Sequence, residues 1–424
     1  MTPHQARSHL EGLHPTQIAL GLDRTRNVLA RLSRPETSAP SLHVAGTNGK
    51  GSVCAMAERA LRSAGLRTGF YSSPHLLAFE ERIRIDGVPI SDDTLARAVS
   101  AVRDAGAGLD LTYFEFATAM AFWAFRDAAV DVMVLETGLG GRLDATNVVE
   151  PVAAAITALG MDHTRILGST LAEIAFEKAG ILKPGLTCAV AKPLPEAAAV
   201  LSARALAVGA TLWTEGRDFA LEENRYRGPT LTLDDVQVGL RGPHQRQNAA
   251  LALALLEIAA PRLAAPVPPA ALRTGIKDAR WPGRLEIVTP PAASPGVEVI
   301  LDGAHNPPAA EALERAIRAL WPGRAVTMVF GVLDDKELGP MLRTLLPLAR
   351  QVLLTTPSSP RARPAESYLA EARAIRRETE AIPDPREAIH RAVAEAPPGE
   401  LVLICGSLYL VAEGLRLLDE GLKL

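Results

Sequence analysis

The sequence predicts an α/β protein: a doubly wound, mostly parallel sheet followed by a smaller Rossmann-like α/β domain. Three observations carry this reading. Short apolar runs such as Val130 to Leu135 have the composition of parallel strands buried on both faces. Helical stretches alternate with those runs, as in βαβ units. At 424 residues the chain exceeds what one core usually supports, and a second alternating pattern begins near Leu285. The domains are therefore expected at 1–284 and 285–424.

Residues 3–33 read as two polar helices ahead of the first core strand, Leu42 to Ala45. A helix follows from Ser52, then a strand over Arg67 to Ser72 and an alternating stretch, Glu80 to Ile85. Helices are expected at 92–105, with Ser91 as N-cap, and at 115–128. After the strand ending at Leu135 and Glu136, residues 152–159 form another, which leads into a helix through Phe176 to Gly180. Short alternating segments over 211–240 suggest an antiparallel extension. A helix over 245–259 and a proline-dense loop at 261–269 precede Trp281-Pro282-Gly283-Arg284, the expected linker. Strands at 297–301, 325–330, 351–355 and 401–405 then alternate with helices at 308–320, 336–347, 364–376, 386–396 and 408–421. There is no convincing internal repeat, and this half has no G-x-G-x-x-G of its own.

Composition narrows the function classes. Lys and Arg total 45 against 48 Asp and Glu, so nothing points to nucleic acid or an anionic membrane. The 3 cysteines, Cys54, Cys188 and Cys405, are widely spaced and read as buried thiols in a reducing compartment. Without a signal-like N-terminus or a membrane-length apolar run, a cytoplasmic protein is expected.

The chemistry centres on Gly46-Thr47-Asn48-Gly49-Lys50-Gly51-Ser52. A strand, a glycine turn and a helix N-terminus make an anion site, where backbone N–H groups and the helix dipole converge. Lys50 brings a mobile positive charge and Ser52 a hydroxyl. Gly51 stands between Lys50 and Ser52, so the standard P-loop pattern is not met to the letter, and a plain glycine turn stays open. Open sheets of this kind bind ligands at the carboxyl ends of their strands, where Ser73, Glu136 and His163 fall. Taken singly, Glu136 is equally a strand-end carboxylate or an acid for Mg²⁺, and His163 a structural hydrogen-bonding residue. Lys178 reads as a solvated helix lysine, Ser73 as a cap and Phe114 as a core aromatic.

The loop, together with Ser72-Ser73-Pro74-His75, the run Leu135 to Asn147, Asp162-His163-Thr164, His244 to Ala250 and Leu301 to Pro307, resembles the folylpolyglutamate synthase and dihydrofolate synthase family of the Mur ligase superfamily. The likeness covers nearly the whole chain. It implies an ATP-dependent ligase that joins L-glutamate to a folate or dihydropteroate carboxylate through an acyl phosphate. It implies Mg²⁺, held by Ser73 and Glu136 with Ser52 nearby, and a second Mg²⁺ held by His163 and a carbamylated Lys178. Asn248 would contact the base region, and Arg284 the ATP phosphates once the domains close. Asp302 and His305 would act on nucleotide and incoming amino acid, with Ser407 helping to hold glutamate. Thr112, Phe114 and Asp144 would lie near the pterin. A monomer is expected. A sibling cell-wall ligase and a non-catalytic ATP-binding regulator are the alternatives.

Overall fold

The computed structural model describes residues 1–13, 19–289 and 295–422; residues 14–18 of the expected N-terminal helical stretch therefore lie outside the described residues. The chain divides into two compact units. The first comprises Met1–Gly160, Thr164–Gly239 and Arg246–Arg280; the second comprises Met161–His163, Leu240–Gln245 and Trp281–Leu424. The second unit thus begins at Trp281, ahead of the 284/285 position read from sequence, and takes in two short pieces from earlier in the chain.

The first unit is built on eight strands: β1 (Ser41–Ala45), β2 (Thr68–Tyr71), β3 (Ile83–Ile85), β4 (Val88–Pro89), β5 (Val132–Glu136), β6 (Ala153–Ile156), β7 (Thr187–Val190) and β8 (Thr211–Thr214). Their order in the sheet is β4-β3-β2-β5-β1-β6-β7-β8. From β2 to β8 all pairings are parallel, and β3 and β4 add an antiparallel edge. β1 and β5 are buried along their whole length, as a central parallel strand covered on both faces must be. The chain leaves β1 toward β2 and reaches β6, on the other side of β1, only after β5. That reversal opens a crevice at the carboxyl end of β1.

Helices cover the sheet. Pro3–Gly12, Asp23–Arg31, Asp92–Ala105 and Tyr113–Asp127 contribute to one apolar core that includes Leu10, Val28, Val99, Met120 and Phe125. Helix Lys50–Ser63 packs on Pro269–Asp278, where Gly275 lies so close that a β-carbon would sit 2.4 Å from that of Ala60.

Two expectations for this unit are corrected. Glu80 to Ile85 is not one strand: Phe79–Arg82 forms a 3₁₀ turn and only Ile83–Ile85 is extended. The Glu81 carboxylate accepts the amides of Leu76, Leu77 and Ala78, which winds the backbone here. In the 211–240 stretch, β8 continues the parallel sheet, and only β9 (Ala220–Glu222), β10 (Arg225–Arg227) and β11 (Thr232–Leu233) form an antiparallel sheet. Buried Glu257 fastens that sheet, accepting from the Tyr226 hydroxyl, the Thr230 amide and hydroxyl, and the Leu231 amide.

The second unit holds β12 (Glu286–Val288), β13 (Glu298–Asp302), β14 (Val326–Phe330), β15 (Gln351–Leu354), β16 (Thr379–Ala381) and β17 (Leu401–Cys405), ordered β12-β13-β17-β14-β15-β16. All pairings are parallel except β12 with β13. β12 and β16 were not expected from sequence. The helix expected at 364–376 is a 3₁₀ turn, Ala365–Tyr368, followed by Leu369–Ile375.

Candidate active site

In the first unit, the Gly46–Ser52 loop joins β1 to helix Lys50–Ser63. Gly46 has φ 149°, and a β-carbon there would lie 1.8 Å from Thr157 Oγ1. Gly49 has φ 92° and lies under Asn248, whose Oδ1 would be 2.4 Å from an added β-carbon. The amides of Thr47 and Asn48 donate to Ala158 O at 3.1 and 3.3 Å, so the segment after β6 holds the loop from the side. Thr157 and Ala158 carried no sequence signal beyond following a strand.

Two ammonium groups converge on one carbonyl. Lys50 Nζ donates to Gly46 O at 3.1 Å and Thr47 O at 3.2 Å, and Lys178 Nζ donates to Gly46 O at 2.8 Å. Lys178 is 4% exposed, so the solvated-helix reading fails. Two like charges beside a helix N-terminus repel one another and attract an anion. Glu136, 5% exposed, ends β5 in the same neighbourhood: the Cys54 thiol pKa is raised by its own burial and then by the Glu136 charge, while Lys50 opposes the rise. Ser52 is buried in the first turn of the helix, and Ser73 follows β2, the strand paired with β5.

The run after β5 is a tightly tied loop. Asp144 accepts the amides of Gly138 and Leu139 at 2.8 Å each, the Thr146 amide at 3.0 Å and the Thr146 hydroxyl at 2.5 Å. His43, fully buried in β1, continues this chain by donating from Nε2 to Thr146 Oγ1 at 2.8 Å; burial depresses its pKa to about 3. Asp144 therefore organises the loop with both oxygens. Asn147 Nδ2 donates to Arg142 O and Gly180 O, fastening the loop to the end of the helix that carries Lys178. Phe114 covers Gly138, where a β-carbon would sit 2.4 Å from its ring, and lies 5.9 Å from the Tyr71 ring. Thr112 is the N-cap of Tyr113–Asp127, in a capping box with Glu115.

The second unit gathers another cluster. Asp302 ends β13 and accepts the amides of Leu285 at 3.0 Å and Ala304 at 2.9 Å. Burial raises its pKa, and nearby Arg284 opposes that rise. Gly303 admits the Arg284 guanidinium, since a β-carbon there would lie 2.5 Å from Nη1. His305 Nδ1 is 2.7 Å from Gly303 O, the distance of a donated proton, which leaves Nε2 as the lone-pair nitrogen. Its pKa is lowered to about 4 by burial, then by Lys336.

Asp162, passed over in favour of its neighbour His163, is the hub of this cluster. It accepts from Lys336 Nζ at 2.7 Å and Asn306 Nδ2 at 2.8 Å, with His305 Nε2 at 3.8 Å and His163 Nε2 at 3.9 Å. The charges of His163 and Lys336 hold its carboxyl far below the usual range despite its burial. Asn306 also caps helix Pro307–Leu320 through Ala309 N. Lys336 gave no sequence signal, because it stands in a run of charges, Asp334 to Glu337. His163 itself is largely exposed, with φ 50°. Ser407, 1% exposed, caps the last helix through the Tyr409 amide.

A cleft of about 350 Å³ elsewhere in the first unit, lined in part by Lys192, Leu201, Thr214 and Arg217, contains none of the sequence-predicted residues. Among the described residues no helix is long and apolar enough to cross a membrane.

Residues 283–408 match the family model described as Mur ligase, glutamate ligase domain. The chain is 37% identical over 426 residues to the dihydrofolate synthase/folylpolyglutamate synthase of Bacillus subtilis (strain 168), covering 96% of this chain and 97% of that one. Its fold is similar to that of E. coli FolC in complex with DHPP and ADP, with a TM-score of 0.90, 34% identity, and 99% and 98% of the two chains covered. The bifunctional folylpolyglutamate synthase/dihydrofolate synthase of Yersinia pestis CO92, complexed with AMPPNP and Mn ion, gives a TM-score of 0.87 and 33% identity over 99% and 98% of the two chains.

Proposed function

Because the chain belongs to the folylpolyglutamate synthase/dihydrofolate synthase family, we propose that it is an ATP-dependent ligase joining L-glutamate to a folate-type carboxylate. The observation that carries this is the glycine loop at the N-terminus of helix Lys50–Ser63, where Lys50 Nζ reaches back to Gly46 O and Thr47 O and forms a cationic cradle for phosphates. ATP phosphorylates the carboxylate, since carboxylate oxygen is otherwise too poor a leaving group. The glutamate amine attacks the acyl phosphate, and inorganic phosphate leaves, with ADP as the other product. Lys50 and the loop amides take the growing phosphoryl charge. Asn248, seated on Gly49, is assigned to the nucleotide, as are Arg284 and Asp302 by the family resemblance. His305, with Nε2 unprotonated, is suited to accept a hydrogen bond from the incoming amine.

Ser73 and Glu136 fit a Mg²⁺: a hydroxyl and a buried carboxylate offer hard oxygens just beyond or at the carboxyl ends of neighbouring strands. Such an ion neutralises phosphoryl charge when bound. For Lys178, the family resemblance implies a carbamate. Carbamylation would turn it into an anion whose oxygens suit a second Mg²⁺. Thr112, Phe114 and Asp144 are assigned to the pterin end, Asp144 by shaping the loop. The protein is expected to act in the cytoplasm as a monomer.

The decisive assay incubates purified protein with ATP, Mg²⁺ and L-glutamate, plus dihydropteroate or tetrahydrofolate in parallel. ADP release and a product heavier by one glutamyl residue are expected with at least one acid. ADP release only with a UDP-linked muramyl peptide, or with none of these acids, would refute the proposal.

A further inference from the structure

Arg82 is a buried charge that the ligase chemistry leaves unused. It ends the 3₁₀ turn Phe79–Arg82, immediately before β3, and is 8% exposed. Among the described residues its guanidinium donates one hydrogen bond, from Nε to His75 Nδ1 at 2.8 Å. No carboxylate among them pairs with it. Glu80 is turned to Arg7, and Glu81 to the amides of Leu76, Leu77 and Ala78. Its charge lies instead over the rings of Tyr113, at 5.2 Å, and Phe79, at 6.0 Å. Cation–π contacts replace only part of the hydration that a buried guanidinium loses. The Nη edge is left for an acceptor that arrives with a ligand.

Position in the sheet says which part of a ligand that is. β3 pairs with β2, β2 with β5, and β5 with the P-loop strand β1. Three steps of ~4.8 Å separate β3 from β1 by about 14 Å. A carboxylate being phosphorylated beside Lys50 does not also reach Arg82. The groups around Arg82 are aromatic: Tyr113 and Phe79 beneath it, and fully buried Tyr71, whose ring lies 5.9 Å from Phe114. The Asp144 loop lies close by, since Phe114 covers Gly138, whose amide donates to Asp144.

We infer that Arg82 is a specificity-determining residue whose guanidinium fork donates to the acceptor edge of the substrate's fused heterocycle, between walls formed by Phe79, Tyr113 and Phe114. This rests on the ligase reading above, in which a folate-type acid has its heterocycle at the end remote from the reacting carboxylate. A lactam oxygen and an adjacent ring nitrogen match the two donors of a guanidinium edge, and the flat ring matches the aromatic walls.

The test uses the full chain and two variants, Arg82→Gln and Arg82→Lys. Lysine keeps the charge but not the fork, and serves if glutamine does not fold. KM and kcat are measured for the acid, ATP and glutamate, together with binding of 6-hydroxymethylpterin by its fluorescence and of 4-aminobenzoyl-glutamate by calorimetry. The expected result is a rise of about tenfold or more in KM for the acid and a matching loss of pterin binding. KM for ATP and glutamate, and 4-aminobenzoyl-glutamate binding, should stay at parent values. Unchanged pterin binding would overturn the inference, as would equal losses for both probes, which would move the contact to the acid's other end. A parent protein that neither ligates folate-type acids nor binds pterin would bring down the ligase reading itself.

Discussion

At Gly46 an added methyl would strike Thr157, a fully packed side chain, whereas at Gly49 it would meet the amide end of Asn248, which can turn aside. Gly46→Ala is therefore expected to destabilise the first unit by about 2–4 kcal/mol and to abolish ATP turnover. Gly49→Ala should weaken ATP binding with a smaller loss of stability. Urea unfolding and nucleotide titration of both variants check this; equal stability losses would contradict it. Lys178 gives a second prediction at this scale. Lys178→Ala should fold but be nearly inactive, and a short carboxylic acid in solution should partly restore turnover by replacing the carbamate. Lys178→Arg keeps a positive charge, cannot be carbamylated in this way, and should stay inactive. A fully active arginine variant would remove the carbamate from the mechanism.

Among elements, the short piece Met161–His163 owes its place to the second unit, through Asp162 against Lys336 and the helix that Asn306 caps. Both charges are buried, so Lys336→Met alone should cost about 3–5 kcal/mol by stranding Asp162. Adding Asp162→Asn should recover much of that loss. A thermodynamic cycle over the four proteins measures the coupling, and purely additive losses would show that the pair is not a unit. This contact also marks where sequence reading stopped. The loop at 46–52 was legible because glycines, a lysine and a helix start are consecutive, and its chemistry is local. The Asp162–Lys336 pair joins residues far apart in the chain, and neither carries a mark of its partner. β12 and β16 escaped because three residues are too few to display a period. Glu80 to Ile85 misled because the alternation was real, but the Glu81 side chain bonds of the turn outweighed it.

Over the whole molecule, three histidines with depressed pKa values contribute to the response to acid. His43 lies in the first unit, with a pKa near 3; His244 and His305 lie in the second, each near 4, all three lowered chiefly by burial. Below about pH 6.5 the unfolded chain binds protons that the folded chain refuses, so each group makes stability fall as pH falls. The loss runs from about 6.5 down to about 3 for His43 and about 4 for the others, at up to about 1.4 kcal/mol per pH unit for each. His43→Gln should keep the bond to Thr146 while flattening the slope of the first unit by up to one proton. Hydrogen exchange of the β1 amides between pH 4.5 and 6.5 reads this, and an unchanged slope would show that His43 is protonated in place.

Synthesis imposes an order on this architecture that the finished molecule hides. The helix that starts at Lys50 leaves the ribosome early, yet the face that Ala60 presents is closed only by Gly275, on the last helix of the first unit. β1 likewise gains both neighbours only after residue 156 has emerged. A growing chain must therefore carry its phosphate loop on an uncovered apolar helix while most of the first unit is made. That interval is when a chaperone would be needed, and when a truncated chain would aggregate.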